Sequence, residues 1–536
     1  MQRLGGVDIT RLIEDLGRAA AYPHAARRIE IHQTHISVVA LAGEYAYKVR
    51  KPVDLGFLDF TTLEKRLHDC RKEMRLNRRL APDVYLDVVP LVEADGHLSV
   101  GGEGPAVEYA VKMRRLPEEA TLLRRMEAGQ LDSEVMSALG HRIAAFHAAA
   151  DSGPEIDRYG RWDVVAGNAR ENLEQSRSHV GACLSEAVFA RLQQALEQRL
   201  AAHRPLIERR AESRVPRDTH GDLHLEHVYL FPDRSPPDDF VIIDCIEFNE
   251  RFRHADPVAD MAFLVMDLLC HGRWDLAEPF VDAYFRAAQD DEGRRLLAFY
   301  VAYRAAVRGK VEGMLASEAE VPELQREAAL RRARGHWLLA LSELEGPVQR
   351  PALVLVGGLP GTGKTTLARG LARAAGFHVV SADRVRKELA GLSPETSATA
   401  AFGEGIYTPE WNDRTYAACL AEAEALVFQG QRVIVDASFR AAKRRRAFLD
   451  AAVEWGVRSA FLVCGADASV VRERLATRTG DASDADWAVH QAAARRWETG
   501  GFEDPRWQRL VPTGGESGEA VAAALAHLRA VGLTES

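Results

Sequence analysis

The segment GLPGTGKT, Gly358 to Thr365, constrains this chain more than any other stretch of it. It matches GxxxxGK[ST] in full and stands between the apolar run ALVLVGG and the segment TTLARGLARAAG, whose apolar residues recur at helical spacing. Such a loop joins a buried strand to a helix N-terminus. Its backbone N–H groups turn inward and the first helical turn adds partial positive charge, so it is built to hold phosphate. Lys364 is expected on the terminal phosphates of a nucleotide and Thr365 on a Mg²⁺ ion. Gly358, Leu359, Pro360, Gly361, Thr362, Gly363 and Thr366 complete the expected cradle.

Downstream, FHVVSAD, RVIVDAS and SAFLVCG read as strands separated by helical stretches, the alternation of a parallel sheet with helices on both faces. Asp383 and Asp436 fall at the ends of such strands, where ligands of open α/β sheets bind. Asp383 is a candidate general base for an acceptor hydroxyl, with Arg386 one helical turn on to hold an anion. Asp436 is the expected partner of the Mg²⁺ ion, through water. Helix-capping aspartates are the plainer alternative. Arg474 and Arg478, one turn apart before a Gly- and Asp-containing break, read as a lid that neutralises charge on a moving phosphoryl group, or else as a solvated helix face. The run Lys443 to Arg446 reads as a solvated face, because adjacent helical residues point in different directions.

The first part of the chain is organised differently. Alternating apolar positions from Ile29 to Lys51 predict two or three antiparallel strands, a helix follows around Leu63 to Leu80, and YLDVVPLVEA and AVEYAVKMRRL read as further strands. From Ser133 to about Glu345 helical spacing dominates, except between Val215 and Glu247. There HGDLHLEH, His220 to His227, is followed by the apolar strand VIIDCIEF with Asp244. An Asp on a loop can accept a hydroxyl proton while an Asp at the end of the next strand holds Mg²⁺. Asp222 and Asp244 fit those roles, and Lys48 on a small-lobe strand with Glu73 in its helix fit the pair that positions α and β phosphates. The histidines His220, His224 and His227 with Asp222 also admit a metal-cluster reading.

These motifs resemble known families. GGLPGTGKTTLAR, SADRVRKEL, VIVDASF and RLATRTGDASDA look like the P-loop kinase group that includes phage polynucleotide 5′-kinase, gluconate kinase and chloramphenicol phosphotransferase, over about Pro351 to Leu533. The resemblance implies an adenylate-kinase-like fold, ATP with Mg²⁺ and transfer to a hydroxyl, with Asp383 and Arg386 matching the polynucleotide kinase base and its arginine. From about Ile29 to Leu341 the chain resembles the aminoglycoside phosphotransferase-like family, whose loop reads HxDxxxxN. Lys48, Glu73, Asp222 and Asp244 match that pattern one by one. Two departures stand out: His227 replaces the Mg²⁺-binding Asn, and QTHIS, not a GxGxxG turn, precedes Lys48. Imidazole is a poor ligand for hard Mg²⁺, so the metal would rest on Asp244 and water or the chemistry is weakened.

The expected architecture is an α+β two-lobed kinase-like domain at 1–345 (small lobe about 1–115, helical lobe about 116–345), a linker at 346–351 and an α/β P-loop domain with a parallel sheet at 352–536. The segment EGPVQRP carries the linker chemistry. At 536 residues the chain exceeds one ordinary core. Its net charge of −9 speaks for a small-molecule hydroxyl acceptor over nucleic acid. Six scattered cysteines without a CxxC pair, an amphipathic rather than signal-like start, and no apolar run of membrane length place it in the cytoplasm. The expected function is an ATP-dependent phosphotransferase with two ATP sites. Its rivals are a 5′-hydroxyl polynucleotide kinase and a regulatory ATP-binding protein whose first domain is a catalytically poor ligand sensor.

Overall fold

The alternation between Ile29 and Lys51 folds into β1 (Ile29–Gln33), β2 (Ser37–Ala42) and β3 (Tyr45–Arg50), joined by β4 (Tyr85–Ala94), β5 (His97–Val100) and β6 (Ala106–Arg114). The sheet is antiparallel in the order β1-β2-β3-β6-β4-β5, with Lys48 opposite Val39 on one side and Val111 on the other. The period of two sorts the side chains. Tyr47 and Val49 enter an apolar core with Leu12, Leu16, Val38 and Ala40, which leaves Lys48 and Arg50 for the opposite face. Against that face runs the helix Leu63–Asn77, capped by Thr62, whose hydroxyl accepts from the Lys65 N–H. Its buried stripe is charged: Arg66, Asp69, Cys70, Glu73, Leu76 and Asn77 recur at helical spacing. A stripe of that kind is stable only if each charge meets a partner.

The computed structural model describes residues 7–56, 58–393, 405–477, 486–499 and 508–535. It divides into two compact units, Met1–Val165 with Arg204–Leu268 and Trp274–Leu297, and Ala166–His203 with Leu269–Arg273 and Ala298–Ser536. In the first unit the short strands β7 (Arg217–Asp218), β8 (Val228–Leu230), β9 (Phe240–Ile242) and β10 (His254–Ala255) pair as β7 with β10 and β8 with β9. They pin the segments 219–227 and 243–253. The apolar helix Pro257–Cys270 carries two acids, of which Asp260 is fully buried. No helix among the described residues is long and apolar enough to cross a membrane.

The second unit is built on β11 (Ala352–Gly358), β12 (His378–Ser381), β13 (Arg432–Asp436), β14 (Arg458–Gly465) and β15 (Gln508–Pro512), parallel throughout in the order β12-β13-β11-β14-β15. β11 is buried at every position, as a central parallel strand covered on both faces must be. The fold class is as expected, an α+β kinase-like part followed by an α/β P-loop part, and β15 is an added edge strand. The helix Glu323–Leu344 packs within this second unit. A Cβ on Gly335 would stand 2.4 Å from the Glu454 carbonyl oxygen, so the helix approaches the turn after Ala442–Glu454 at backbone distance. Arg191 grips the same unit, donating to both Glu345 oxygens at 2.9 and 2.6 Å and to the Gly430 carbonyl at 2.6 Å. One expectation fails here. Arg445, read as part of a solvated face, is buried and donates to the carbonyls of Phe439 and Glu498, because its helix turns that one residue inward.

Candidate active sites

At the carboxyl end of β11 the chain leaves the sheet through Gly358 and re-enters a helix, Lys364–Ala375, at Gly363. Gly358, Gly361 and Gly363 take φ of 141°, 79° and 86°, values that a side chain resists. Other elements fasten the loop. Thr513 Oγ1 donates to the Thr362 carbonyl at 2.5 Å and His490 Nδ1 to the Pro360 carbonyl at 2.7 Å. Lys364 Nζ lies across the loop, donating to the Leu359 carbonyl at 3.0 Å. Thr366, in the first helical turn, is exposed.

Thr365 Oγ1 donates to Asp436 Oδ2 at 2.7 Å, so the helix N-terminus and the end of β13 meet through one hydrogen bond. Asp436 is 5% exposed, and burial pushes its carboxyl up to about 6 while Lys364 pulls the other way. A buried carboxylate beside a hydroxyl and an ammonium is a donor set that fits Mg²⁺ and phosphate together. Asp383 stands in the first turn of Ala382–Leu389, directly after β12, and accepts from Arg386 Nη1 at 2.8 Å. Arg386 is buried, donates to Asn412 Oδ1 at 3.0 Å and lies 4.9 Å from the Tyr407 ring centroid. Asn412 and Tyr407 were invisible to sequence reading because they reach the site from Pro409–Phe428 and the turn before it. Arg474 also arrives, since a Cβ on Gly363 would stand 3.5 Å from its Nη1. Arg478 lies outside the described residues.

In the first unit, Lys48 Nζ donates to Glu73 Oε1 at 2.9 Å and to Asp244 Oδ1 at 2.7 Å. Burial opposes the ammonium, but Asp244 and Glu73 outweigh it and hold Lys48 protonated well above its ordinary range. Asp244 is likewise resisted by burial and held below the usual carboxylate range by Lys48. Its backbone sits at φ 65°, and its N–H donates to the Tyr85 hydroxyl at 3.2 Å. A non-glycine residue held there costs about 1–3 kcal/mol and survives only where the surroundings enforce it. Arg50, two residues from Lys48, balances the remaining acids: it donates to Asp69 at 2.7 Å, to Glu73 Oε2 at 2.6 Å and to Glu247. Sequence reading missed this network, although two cations at i and i+2 on a strand, facing acids four apart on one helix, announce it.

The loop 219–227 is held from below by the buried acid Asp260, which accepts from the N–H groups of His220 at 3.0 Å and Gly221 at 2.7 Å and from His147 Nε2 at 3.0 Å. Asp267 accepts the Leu225 N–H at 2.9 Å. These two acids in an otherwise apolar helix were the available signal. His220 donates through Nε2 to the Ile243 carbonyl and accepts the Asp222 N–H on Nδ1, so both ring nitrogens are committed; burial pushes it down to about 4. His227 Nδ1 donates to the Asp222 carbonyl at 2.9 Å, which leaves Nε2 with its lone pair 3.6 Å from Asp244 Oδ2. Upstream, the turn between β1 and β2 contains no glycine and is closed by Thr34, whose hydroxyl accepts the Ser37 N–H at 3.0 Å. Lys48, Glu73, Asp244, His227 and Asp222 are thus joined in one chain of contacts, a set that fits a nucleotide's phosphates and a cation.

A model of the phosphotransferase enzyme family matches residues 57–300, and an AAA domain model matches residues 353–499. The uncharacterized protein Rv2004c of Mycobacterium tuberculosis and its counterpart Mb2027c of Mycobacterium bovis are each 34% identical to this chain over 475 residues, covering 88% of it and 91% of theirs. Among solved structures, a gluconokinase from Sinorhizobium meliloti matches 34% of this chain and 93% of its own at 22% identity and a TM-score of 0.25. Amicoumacin kinase hAmiN, in complex with AMP-PNP, Ca²⁺ and Ami, matches 62% and 93% at 10% identity and a TM-score of 0.39.

Proposed function

The chain belongs to the family of those mycobacterial proteins, with a phosphotransferase-family domain joined to a P-loop AAA domain, and from that premise we propose an ATP-dependent phosphotransferase with two nucleotide sites. The P-loop domain, residues 352–536, transfers the γ-phosphoryl group of ATP to a hydroxyl of a small molecule. Residues 1–345 carry a second, kinase-like site, and 346–351 join the two. The observation that carries the reading is the hydrogen bond from Thr365 to Asp436, with Lys364 and the Asp383–Arg386 pair at the same end of the parallel sheet.

Thr365 and Asp436 are the residues that would hold Mg²⁺, and Mg²⁺ bound to ATP supplies charge neutralisation on the phosphates. Lys364 exchanges its loop carbonyl for phosphate oxygens. Asp383 takes the proton of the acceptor hydroxyl as the new O–P bond forms and the bond to the ADP oxygen breaks. Arg386, anchored by Asn412 and Tyr407, fixes the orientation of Asp383, and Arg474 adds positive charge beside Gly363.

In the first domain Lys48, braced by Glu73, takes the α and β phosphates, Asp222 is the base and Asp244 the metal ligand. One observation favours a weaker or regulatory role for this domain: imidazole from His227 stands where a carboxamide oxygen suits Mg²⁺. Titration of the full chain with Mg²⁺ and a non-hydrolysable ATP analogue tests the scheme. About two equivalents should bind, falling to about one in Lys364→Ala and about one in Lys48→Ala, since each removes one phosphate contact. Stoichiometry untouched by Lys364→Ala would remove the P-loop site from the account.

A further inference from the structure

The segment His220 to His227 holds a grouping that phosphoryl transfer uses only in part, through Asp222. Asp222, His224 and His227 each offer a ligand atom, and the three atoms lie within 4.8 Å of one another. Asp222 Oδ2 is 3.6 Å from His224 Nε2, and His227 Nε2 is 3.6 Å from Asp244 Oδ2. Those separations exceed a hydrogen bond. They approach the roughly 3.4 Å edge that two donors make around an ion about 2.1 Å from each in tetrahedral geometry. The imidazoles of His224 and His227 link the two pairs, their centroids 3.8 Å apart.

The tautomers fit as well. His227 Nδ1 carries its proton toward the Asp222 carbonyl, the outer hydrogen bond that orients a metal-bound imidazole and frees Nε2 as ligand. His220 is excluded because both its ring nitrogens are committed, one to Ile243 and one to the Asp222 N–H. Two imidazole nitrogens and two carboxylate oxygens suit Zn²⁺ and its neighbours in the first transition row, whereas Mg²⁺ prefers oxygen throughout.

We propose that Asp222, His224 and His227, completed by Asp244, form a binding site for a transition-metal dication of the Zn²⁺ class, and that its occupancy inhibits phosphoryl transfer at the first domain. The inhibition rests on the reading of Asp222 as the base: a carboxylate shared with the metal no longer accepts the acceptor's proton. Transfer then resumes when the metal is withdrawn.

Co²⁺ serves as the probe, because tetrahedral Co²⁺ with nitrogen and oxygen ligands absorbs visible light. The full chain, stripped of metal and free of nucleotide, is expected to bind about one equivalent of Co²⁺ with a visible band that Zn²⁺ displaces. The band should disappear in His224→Gln and persist in Lys364→Ala. In the Lys364→Ala background, Zn²⁺ should inhibit Mg²⁺-supported ATP turnover, and adding His224→Gln should raise the inhibitory concentration by about tenfold or more. A band unchanged by His224→Gln, or no band, overturns the site. Turnover insensitive to Zn²⁺ while the band forms overturns the inhibition. Absent turnover in Lys364→Ala, with a band still lost in His224→Gln, overturns the transfer reading of the first domain and sustains the metal site.

Discussion

Replacing Asp436 by Asn separates what the P-loop site does for function from what it costs the fold. Asp436 is almost wholly buried, and burial raises its carboxyl from the ordinary 3.8 to about 6 despite Lys364 and the Thr365 hydroxyl. A folded-state pKa above the unfolded value means that the fold prefers the protonated acid. Stability from this group is therefore complete below pH 3.8 and is lost as the pH rises through 6. The difference corresponds to about 3 kcal/mol at pH 7.5. Asn is neutral, has the same shape and keeps an oxygen for the Thr365 hydroxyl. In EDTA, without nucleotide, the variant should thus match wild type near pH 4 and exceed it by about 3 kcal/mol at pH 7.5, or about 5–10 °C in the melting of the P-loop unit. The same variant should lose Mg²⁺-dependent nucleotide binding. Thermal scans of the full chain between pH 4 and 8 measure the first effect and nucleotide titration with and without Mg²⁺ the second. A variant that is less stable than wild type at pH 7.5, or a difference that does not change with pH, refutes the reasoning.

Asp383→Asn should slow phosphoryl transfer by about 10²- to 10⁴-fold while leaving ATP affinity within a few-fold, since binding rests on the P-loop; a collapse of affinity would make Asp383 a metal or structural residue. His227→Asn should raise Mg²⁺-supported turnover of the first domain and reduce any advantage of Mn²⁺, read in the Lys364→Ala background; loss of activity would show that the imidazole belongs to a working variant of the site. Gly335→Ala should destabilise the second unit by about 1–3 kcal/mol, because its Cβ would meet the Glu454 carbonyl at 2.4 Å, and urea unfolding of the full chain should show it; an unchanged midpoint would mean that the helix is free to withdraw.

How legible these sites were depended on how local their chemistry is. The P-loop announces itself because strand, glycines, lysine and helix are contiguous, and β12 and β13 follow as apolar runs, the first with Asp383 two residues past its end and the second ending in Asp436. The small-lobe strands were legible from their period of two. The helix Leu63–Asn77 and the pairing of its Glu73 with Lys48 were legible, but the burial of Arg66 and Asp69 beside it gave no signal until Arg50 and Glu108 are seen across from them. Asn412 and Tyr407 gave no signal because their role exists only once Arg386 has folded against them. Arg445 misled for the complementary reason: one residue of a basic run turned inward to donate to the carbonyls of Phe439 and Glu498, in two separate segments. The pairing of His224 with Asp222 is a matter of side-chain direction within one loop, which spacing alone leaves open.

Phosphoryl transfer itself is the most direct test of the account. The full chain is incubated with Mg²⁺, ATP and a panel of small hydroxyl compounds and oligonucleotides bearing a free 5′-hydroxyl, and products are read by mass for the gain of one phosphoryl group. The account predicts a phosphorylated small molecule whose formation drops by about a thousandfold or more in Lys364→Ala, where the charge on the phosphates is left uncovered, and whose formation does not require an oligonucleotide. Product formed at equal rates by wild type and Lys364→Ala, or on the oligonucleotide alone, would contradict it.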